Sequence, residues 1–354
     1  MRALVLEAPR RIVFRDDLPE PELLDARDAI VEVTHAGLCG SDLHPYLGRE
    51  AVRAGTIPGH ELVGRILAVG AAVEGLSPGD RVLAPFTTSC GACAPCRRAL
   101  SARCVDGALL GWRPPEGMPG RGVDGAQAER VRIPLARTTL VRVPDEIDDL
   151  AALLLGDNFT TGWFGATGAG AGPVLAIAVV GCGAVGLSAI AAARHLGAET
   201  ILAVDPVPER RAIAETLGAR AVAPGEAPRA LAELGAHLRE GAAGVVEAVG
   251  SPEAQRLALD LVRPGGAIAA VGVHTAPFAF TPGEAYDSNL TYRAGRAPVR
   301  SLLDSLLPEV AAGRIRVPVE AIIGESERTL EEGADAYRRF AERAGGVRKI
   351  VFRP

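Results

Sequence analysis

The chain has 354 residues, 48% hydrophobic and 23% charged, an ordinary balance for a globular protein and enough length for two domains with separate cores. Its formal charge is −5, with 38 basic and 43 acidic residues mixed along the chain. No basic face or tail points to nucleic acid, and no acidic run points to a disordered arm. Arginine carries nearly all the positive charge, since Lys349 is the single lysine.

The first 14 residues, MRALVLEAPRRIVF, lack the long apolar core of a signal peptide. Residues 158–193 form the longest stretch free of charge, and residues 173–193 are nearly long enough to span a membrane. GCGAVG interrupts that run, and alanine and glycine dilute it, so a buried strand, a tight turn and a helix explain it better. The expectation is a cytoplasmic protein with no membrane segment, whose thiols are reduced and available to metal.

In chain order, the first half reads as β-rich. Short alternating runs at 29–36 and 61–69 are separated by Gly/Pro turns, and Pro78-Gly79-Asp80 turns into another strand at 81–84. A cysteine-rich lobe and a glycine-rich loop at 114–125 follow. Residues 149–167 read as one helical stretch, and after Pro173 strands and helices alternate. Strands are expected at 175–180, 200–204, 244–248 and 267–271, with helices at 185–196, 209–217 and 252–261. Such alternation implies a parallel sheet covered on both faces. Two more helices, at 301–311 and 330–342, and a strand at 348–352 close the chain.

Gly181-Cys182-Gly183-Ala184-Val185-Gly186 is a G-x-G-x-x-G sequence that follows the expected strand and opens the expected helix. In that setting Gly181 permits the tight turn, Gly183 lets a pyrophosphate approach, and Gly186 packs helix against strand. Ala184 and Val185 open the helix, whose free N–H groups and positive dipole face the phosphates. Asp205 ends the run ILAVD nineteen residues after Gly186, where a carboxylate accepts from ribose hydroxyls and repels a 2′-phosphate. That favours NAD over NADP, although Arg210 and Arg211 lie nearby and arginines accommodate a 2′-phosphate. Cys182 reads as a small filler.

Four of the six cysteines, Cys90, Cys93, Cys96 and Cys104, have the spacing Cys-x2-Cys-x2-Cys-x7-Cys. A bacterial-type ferredoxin run needs x3 and a proline at its end, and here the gap is seven and Val105 follows. A nucleic-acid zinc finger lacks its basic and aromatic surroundings. Four thiolates can close a tetrahedral zinc shell with no open position, a folding device and not a reaction centre. A scattered set offers the complement: Cys39 in GLCGSD, His60 in PGHELVG and Asp157 in LLGDNFTTGW. One thiolate, one imidazole and one carboxylate make a three-ligand catalytic zinc site.

These motifs occur together and in order: CGSD-x-H, GHE, the four-cysteine lobe, GD-x3-TG, GxGxxG with its acid, and RPGG-x4-VG. The chain thereby resembles the zinc-dependent medium-chain alcohol dehydrogenases along almost its whole length. The resemblance implies an α/β protein in which a GroES-like, β-rich catalytic domain carries a doubly wound Rossmann NAD-binding domain. Expected boundaries are 1–150 for the catalytic domain, with the structural-zinc lobe at 86–110, then 151–295 for the Rossmann domain and 296–354 for the rest of the catalytic domain. It implies two zinc ions per chain, Cys39, His60 and Asp157 holding the catalytic one and the four clustered cysteines the structural one. Asp157 and its LLGDNFTTGW setting resemble the branch containing polyol, secondary-alcohol and formaldehyde dehydrogenases. Glu61 matches an acid that swings onto zinc during ligand exchange. Val273 and Arg348 match cofactor contacts, Arg348 reaching the phosphates.

By the same resemblance the substrate is a small alcohol, aldehyde or ketone, and the protein is a homodimer or homotetramer. A proton leaves from Ser41 through the nicotinamide ribose to His44, which titrates near neutral pH. The plain alternative makes Ser41 a helix cap and His44 a surface residue. Phe86, Leu109 and Trp112 flank the lobe and are the apolar candidates for a substrate pocket. Competing functions are a homologue that binds NAD without turnover, and an NADP-preferring aldehyde or ketone reductase. A zinc-free quinone or enoyl reductase is disfavoured by both metal signatures.

Overall fold

The computed structural model describes residues 1–173, 175–234, 240–324 and 327–354. They divide into two compact units, the first formed by Met1–Asp157, Pro298–Arg316 and Glu325–Pro354 and the second by Asn158–Ala297 and Val317–Gly324. The first boundary falls seven residues beyond the expected one, 157 against 150. The reason is the helix Asp149–Leu155, whose residues Ala152 to Leu155 are fully buried and which packs on strands of the first unit. Residues 296–354 are also not all one piece: the turn Val319–Ile322 packs on the helix Ala184–His195 and returns to the second unit.

The first unit is built on a seven-stranded sheet whose centre is the long strand Ala29–Leu38. It pairs antiparallel with Leu62–Val69, Arg130–Ile133 and Ile350–Arg353. Alternating apolar residues of these strands, among them Val31, Leu38, Leu62, Ile66, Ile133 and Phe352, form one core with Tyr337 and Leu330. Ala36 lies opposite Leu62, and Leu38 opposite Ile350. These two registers make the ends of three strands meet, which brings residues 39, 61 and 349 together.

The second unit is a six-stranded parallel sheet, in the order 220–222, 200–204, 176–180, 242–247, 262–270, 291–294. Ala176–Val180 is buried at every position, as a strand covered on both faces must be. From it the sheet grows one way through Thr200–Val204 and the other way through Ala242–Glu247. That reversal is the topological switch point at which open α/β sheets bind ligands, beyond the carboxyl ends of the strands. Helices Ala184–His195 and Pro252–Leu261 pack on the sheet. Among the described residues no helix is long and apolar enough to cross a membrane.

The expected single helix at 149–167 is two, Asp149–Leu155 and Asn158–Gly168. Gly156 and Asp157 fall in the break, which frees the Asp157 side chain from the run of a helix face.

Candidate metal and dinucleotide sites

Cys39 leaves the central strand and caps a single turn, Gly40–Asp42. Asp42 closes that turn by accepting the Cys39 backbone N–H at 2.9 Å through Oδ2. Its other oxygen, Oδ1, lies 3.1 Å from His60 Nδ1. With Nδ1–H donated to Asp42, His60 keeps its Nε2 lone pair for a metal, the usual carboxylate–histidine–zinc arrangement. Asp157 Oδ2 completes the set, 3.5 Å from His60 Nε2 and 3.6 Å from Cys39 Sγ. His60, Glu61 and Asp157 are buried, and one donor atom from each of Cys39, His60, Glu61 and Asp157 lies within 4.8 Å of all the others. A soft thiolate, an oriented imidazole and carboxylate oxygens are a donor set that suits zinc.

Glu61 is fully buried, and the Lys349 ammonium pairs with it, itself buried. A Cβ at Gly37 would stand 1.9 Å from Glu61 Oε2, so the strand yields the space the carboxylate occupies. Gln127 Nε2 donates to the Gly37 carbonyl at 3.2 Å, and Tyr337 Oη donates to Gln127 Oε1 at 2.8 Å, fixing that strand from behind. Burial works against the charge on Lys349, yet Glu61, Cys39 and Asp157 together hold its pKa above the ordinary lysine value. Burial likewise works against ionisation of Asp157, and the hydrogen bond and charge of His60 hold its carboxyl below the ordinary range.

Ser41 sits in the same turn as Cys39, its Oγ 3.4 Å from His60 Nε2. His44 lies in the short helix Leu43–Tyr46, and its Nδ1 is buried without a hydrogen-bond partner among the described residues. Burial, with the charge of Arg49 added, holds the His44 pKa below the ordinary value. The rings of Phe86 and His60 stand perpendicular, their centroids 6.3 Å apart, which sets an apolar side chain beside the donors. Leu109 lies in the two-residue strand Leu109–Leu110, paired with Gly122–Val123, and the Trp112 ring covers Gly120. Both make these contacts within the lobe and its following loop.

Sγ atoms of Cys90, Cys93, Cys96 and Cys104 form the second cluster, again within 4.8 Å of one another. Cys93 caps the short helix Ala94–Arg97, and its backbone N–H points at Cys90 Sγ at 3.4 Å, while the Cys90 N–H points at Cys104 Sγ at 3.2 Å. Backbone N–H groups of Cys96 and Val105 draw the Cys93 thiol down to about 6. Such N–H···S contacts stabilise thiolates, the form that binds zinc. All four positions are taken by sulfur, so this cluster has no place for substrate.

At the switch point the glycines divide their work. Gly181 has φ 95°, a conformation open to glycine. A Cβ at Gly186 would lie 1.7 Å from the Gly181 carbonyl oxygen, whereas a Cβ at Gly183 would meet no atom within 4 Å. That open space lies at the start of the helix Ala184–His195, where a pyrophosphate fits. Asp205 accepts the Cys182 N–H through Oδ2 and the Val207 N–H through Oδ1, each at 2.8 Å, tying the loop to the end of the strand Thr200–Val204. Arg211 donates to the Asp205 carbonyl at 2.9 Å, and Arg210 is half-buried beside it. Burial pushes the Cys182 thiol up to about 12, in keeping with a filler. Val273 follows the strand Val262–Ala270 and is exposed. Arg348 is half-buried in the first unit, with its Nε buried and lacking a hydrogen-bond partner among the described residues.

Two residues of the site carried no role in the sequence reading. Asp42 lay inside the quoted CGSD motif, and Lys349 stood out only as the single lysine.

Comparisons with known proteins identify the family. Residues 25–145 match the alcohol dehydrogenase GroES-like domain, and residues 184–297 match the zinc-binding dehydrogenase domain. A zinc-type alcohol dehydrogenase of Aspergillus flavus is 34% identical over all of this chain and 81% of its own. A probable zinc-binding alcohol dehydrogenase of Mycobacterium tuberculosis is 35% identical over all of this chain and 89% of its own. The solved alcohol dehydrogenase of Thermus sp. ATN1 superimposes with a TM-score of 0.90 at 37% identity, covering 99% of both chains. The chain belongs to the zinc-type, medium-chain alcohol dehydrogenase family and is an oxidoreductase.

Proposed function

We propose that the chain is an NAD-dependent zinc alcohol dehydrogenase that interconverts a primary, secondary or polyhydroxy alcohol with its aldehyde or ketone. The observation that carries this reading is the convergence of Cys39, His60 and Asp157, with Asp42 orienting His60 from behind. Cys39, His60 and Asp157 hold a catalytic zinc, and Cys90, Cys93, Cys96 and Cys104 hold a second, structural zinc. When bound, the catalytic zinc would supply a Lewis acid for the substrate oxygen, and the nicotinamide a hydride acceptor. The chain's own residues do the rest. Ser41 takes the proton of the substrate hydroxyl, His44 receives it on the way to solvent, and Phe86 keeps water from the reacting oxygen. Leu109 and Trp112 extend the apolar wall towards the substrate.

Gly181, Gly183 and Gly186, with the first turn at Ala184 and Val185, cradle the pyrophosphate; Val273 and Arg348 add contacts. NAD is proposed over NADP because Asp205 brings a carboxylate to the adenosine ribose. The working assembly is a homodimer or homotetramer in the cytoplasm.

Freshly purified protein should contain about two zinc ions per chain, one for each kind of site. It should reduce NAD with at least one member of a panel of primary, secondary and polyhydroxy alcohols, and prefer NAD to NADP. One zinc or none, with no turnover of any alcohol, aldehyde or ketone, sinks the proposal. Turnover that prefers NADP would shift the reading to a reductase in which Arg210 and Arg211 meet the 2′-phosphate.

A further inference from the structure

In the proposed reading, Asp205 takes the adenosine ribose beside the strand Thr200–Val204, and the Gly181 turn takes the pyrophosphate. The rest of the dinucleotide then extends over the strands on the other side of the switch point, Ala242–Glu247 and Val262–Ala270. Glu247 lies in register with both Val180 and Ala270, so the chain that follows Ala270 forms the rim there. Two apolar side chains stand on that rim, Val249 at 42% and Val273 at 44% exposure. A Cβ at Gly181 would lie 2.6 Å from Val249, and a Cβ at Gly250 would run into the Val273 carbonyl oxygen, so the rim is continuous with the pyrophosphate turn. Exposed apolar side chains in that position suit the flat nicotinamide ring.

The residue after Val273 ties this rim down. Glu247 is fully buried, and its Oε1 accepts the N–H groups of Val249 and Gly250, each at 2.8 Å. Its Oε2 stands 2.9 Å from His274 Nε2, and neither atom has another hydrogen-bond partner among the described residues. The second ring nitrogen, Nδ1, lies 2.7 Å from Nε2 of Gln255, on the helix Pro252–Leu261. Gln255 Oε1 accepts the Ala279 N–H at 3.0 Å, which turns the amide nitrogen towards His274. Nδ1 is therefore the acceptor and the ring proton sits on Nε2, facing the carboxylate. With both nitrogens engaged, His274 has none left to exchange a proton with substrate. Its ring instead joins a strand end to a helix across the loop 271–281. Backbone bonds alone hold only the start of that loop, from the Val271 and Gly272 N–H groups to the Glu247 carbonyl at 2.9 and 3.1 Å.

We propose that His274 is a positioning residue that bridges Glu247 and Gln255 and so holds the loop 271–281 ready for the nicotinamide half of NAD. This rests on the NAD reading of the glycine turn and Asp205. Without the bridge, binding has to order the loop, and the cost falls on the nicotinamide half alone.

The test compares the affinities of NAD and of ADP-ribose, which lacks the nicotinamide, for the zinc-loaded protein and its variants, with the melting temperature as a control. His274→Ala should bind NAD about tenfold more weakly, the scale of ordering a short segment on binding, and ADP-ribose as the parent does. Gln255→Met, which removes the bonds to both Nδ1 and Ala279 at similar volume, should show the same split. Equal weakening of NAD and ADP-ribose would mean general damage to the nucleotide-binding unit and overturns the proposal. Parent-like NAD binding in His274→Ala overturns it as well.

Should His274→Ala fail to fold because it strands the buried Glu247 carboxylate, His274→Gln decides. Its amide N–H still meets Glu247 while the bond to Gln255 is lost, so NAD should bind about threefold more weakly, half the effect in free energy, with ADP-ribose unchanged. NAD binding equal to the parent's, or equal loss of both ligands, refutes the idea. Failure of the unaltered protein to bind either ligand overturns the NAD reading and this proposal together. Normal binding of both, with an indifferent His274→Ala, overturns this proposal alone.

Discussion

Asp42 is the residue on which the open site turns. One carboxylate accepts two N–H groups, that of Cys39 at 2.9 Å and the His60 Nδ1–H at 3.1 Å. Asparagine has a single acceptor, so Asp42→Asn satisfies one of these donors and turns an N–H against the other. Either outcome loosens a ligand. The variant should hold open-site metal about ten- to hundredfold more weakly, while the four-cysteine site keeps its zinc. Competition with a metallochromic chelator measures both, and unchanged open-site affinity refutes the role. His44 makes a pH prediction. Burial, and after it the charge of Arg49, disfavour the imidazolium, so its pKa lies below the ordinary value of about 6.5. In the proposed relay, alcohol oxidation needs neutral His44 as proton acceptor. Activity should therefore persist as pH falls to the ordinary histidine range and fade only below it. In a kcat/KM profile for alcohol oxidation, His44→Gln should lower the plateau and remove that acidic limb. An acidic limb unchanged by the substitution rules out His44 as acceptor.

At the scale of elements, Gly183 and Gly186 look alike in sequence and should behave differently. A Cβ at Gly186 collides with the Gly181 carbonyl oxygen at 1.7 Å, an atom of the backbone that no side-chain rotation can move, so helix and strand must separate. Gly186→Ala should cost ~1–3 kcal/mol of stability, as overpacking does, and weaken cofactor binding as a consequence. Gly183 has ordinary φ, −74°, and open space around its Cβ. Gly183→Ala should melt like the parent yet bind NAD roughly tenfold more weakly, equivalent to ~1.4 kcal/mol, because the methyl enters the pyrophosphate's space. Parent-like NAD binding in Gly183→Ala places the phosphates elsewhere.

Much at this scale could be read from the residues, for identifiable reasons. Thr200–Val204 is a β-branched residue followed by four apolar ones, and Pro252–Leu261 is bounded by Pro252 in its first turn and by Ser251, whose Oγ accepts the Ala254 N–H at 3.2 Å. Both elements begin and end where those signals place them. The break at Gly156-Asp157 left no such mark, because Leu155 and Phe159 are buried on either side and the helical period runs through it. The strands Arg220–Val222 and Thr291–Ala294, at the two edges of the sheet, are too short and too exposed to show a period. Lys349 shares a strand face with Val351, and both are buried. Alternation would have placed it inside, but only the register with Leu38 reveals Glu61 as its partner.

Both metal clusters belong to the first unit, and the dinucleotide loop belongs to the second. Each unit closes its own core, one around Val31, Leu62, Ile133 and Phe352, the other around Val180, Leu202, Val245 and Ile268. Ligands that bind one folded unit stabilise that unit by mass action. Zinc should therefore support the first unit, where the proposed structural zinc would hold the four-cysteine lobe. NAD should support the second, by ~2.7 kcal/mol at a concentration one hundred times its dissociation constant. A calorimetric melt of the zinc-loaded protein with NAD sets the reference. Slow removal of zinc by a chelator should move one transition downward and leave the other responsive to NAD. Removal of NAD alone should do the reverse. A single transition that shifts as a whole under both treatments would mean that the units unfold as one, and that the metal sites stabilise the nucleotide-binding unit as much as their own.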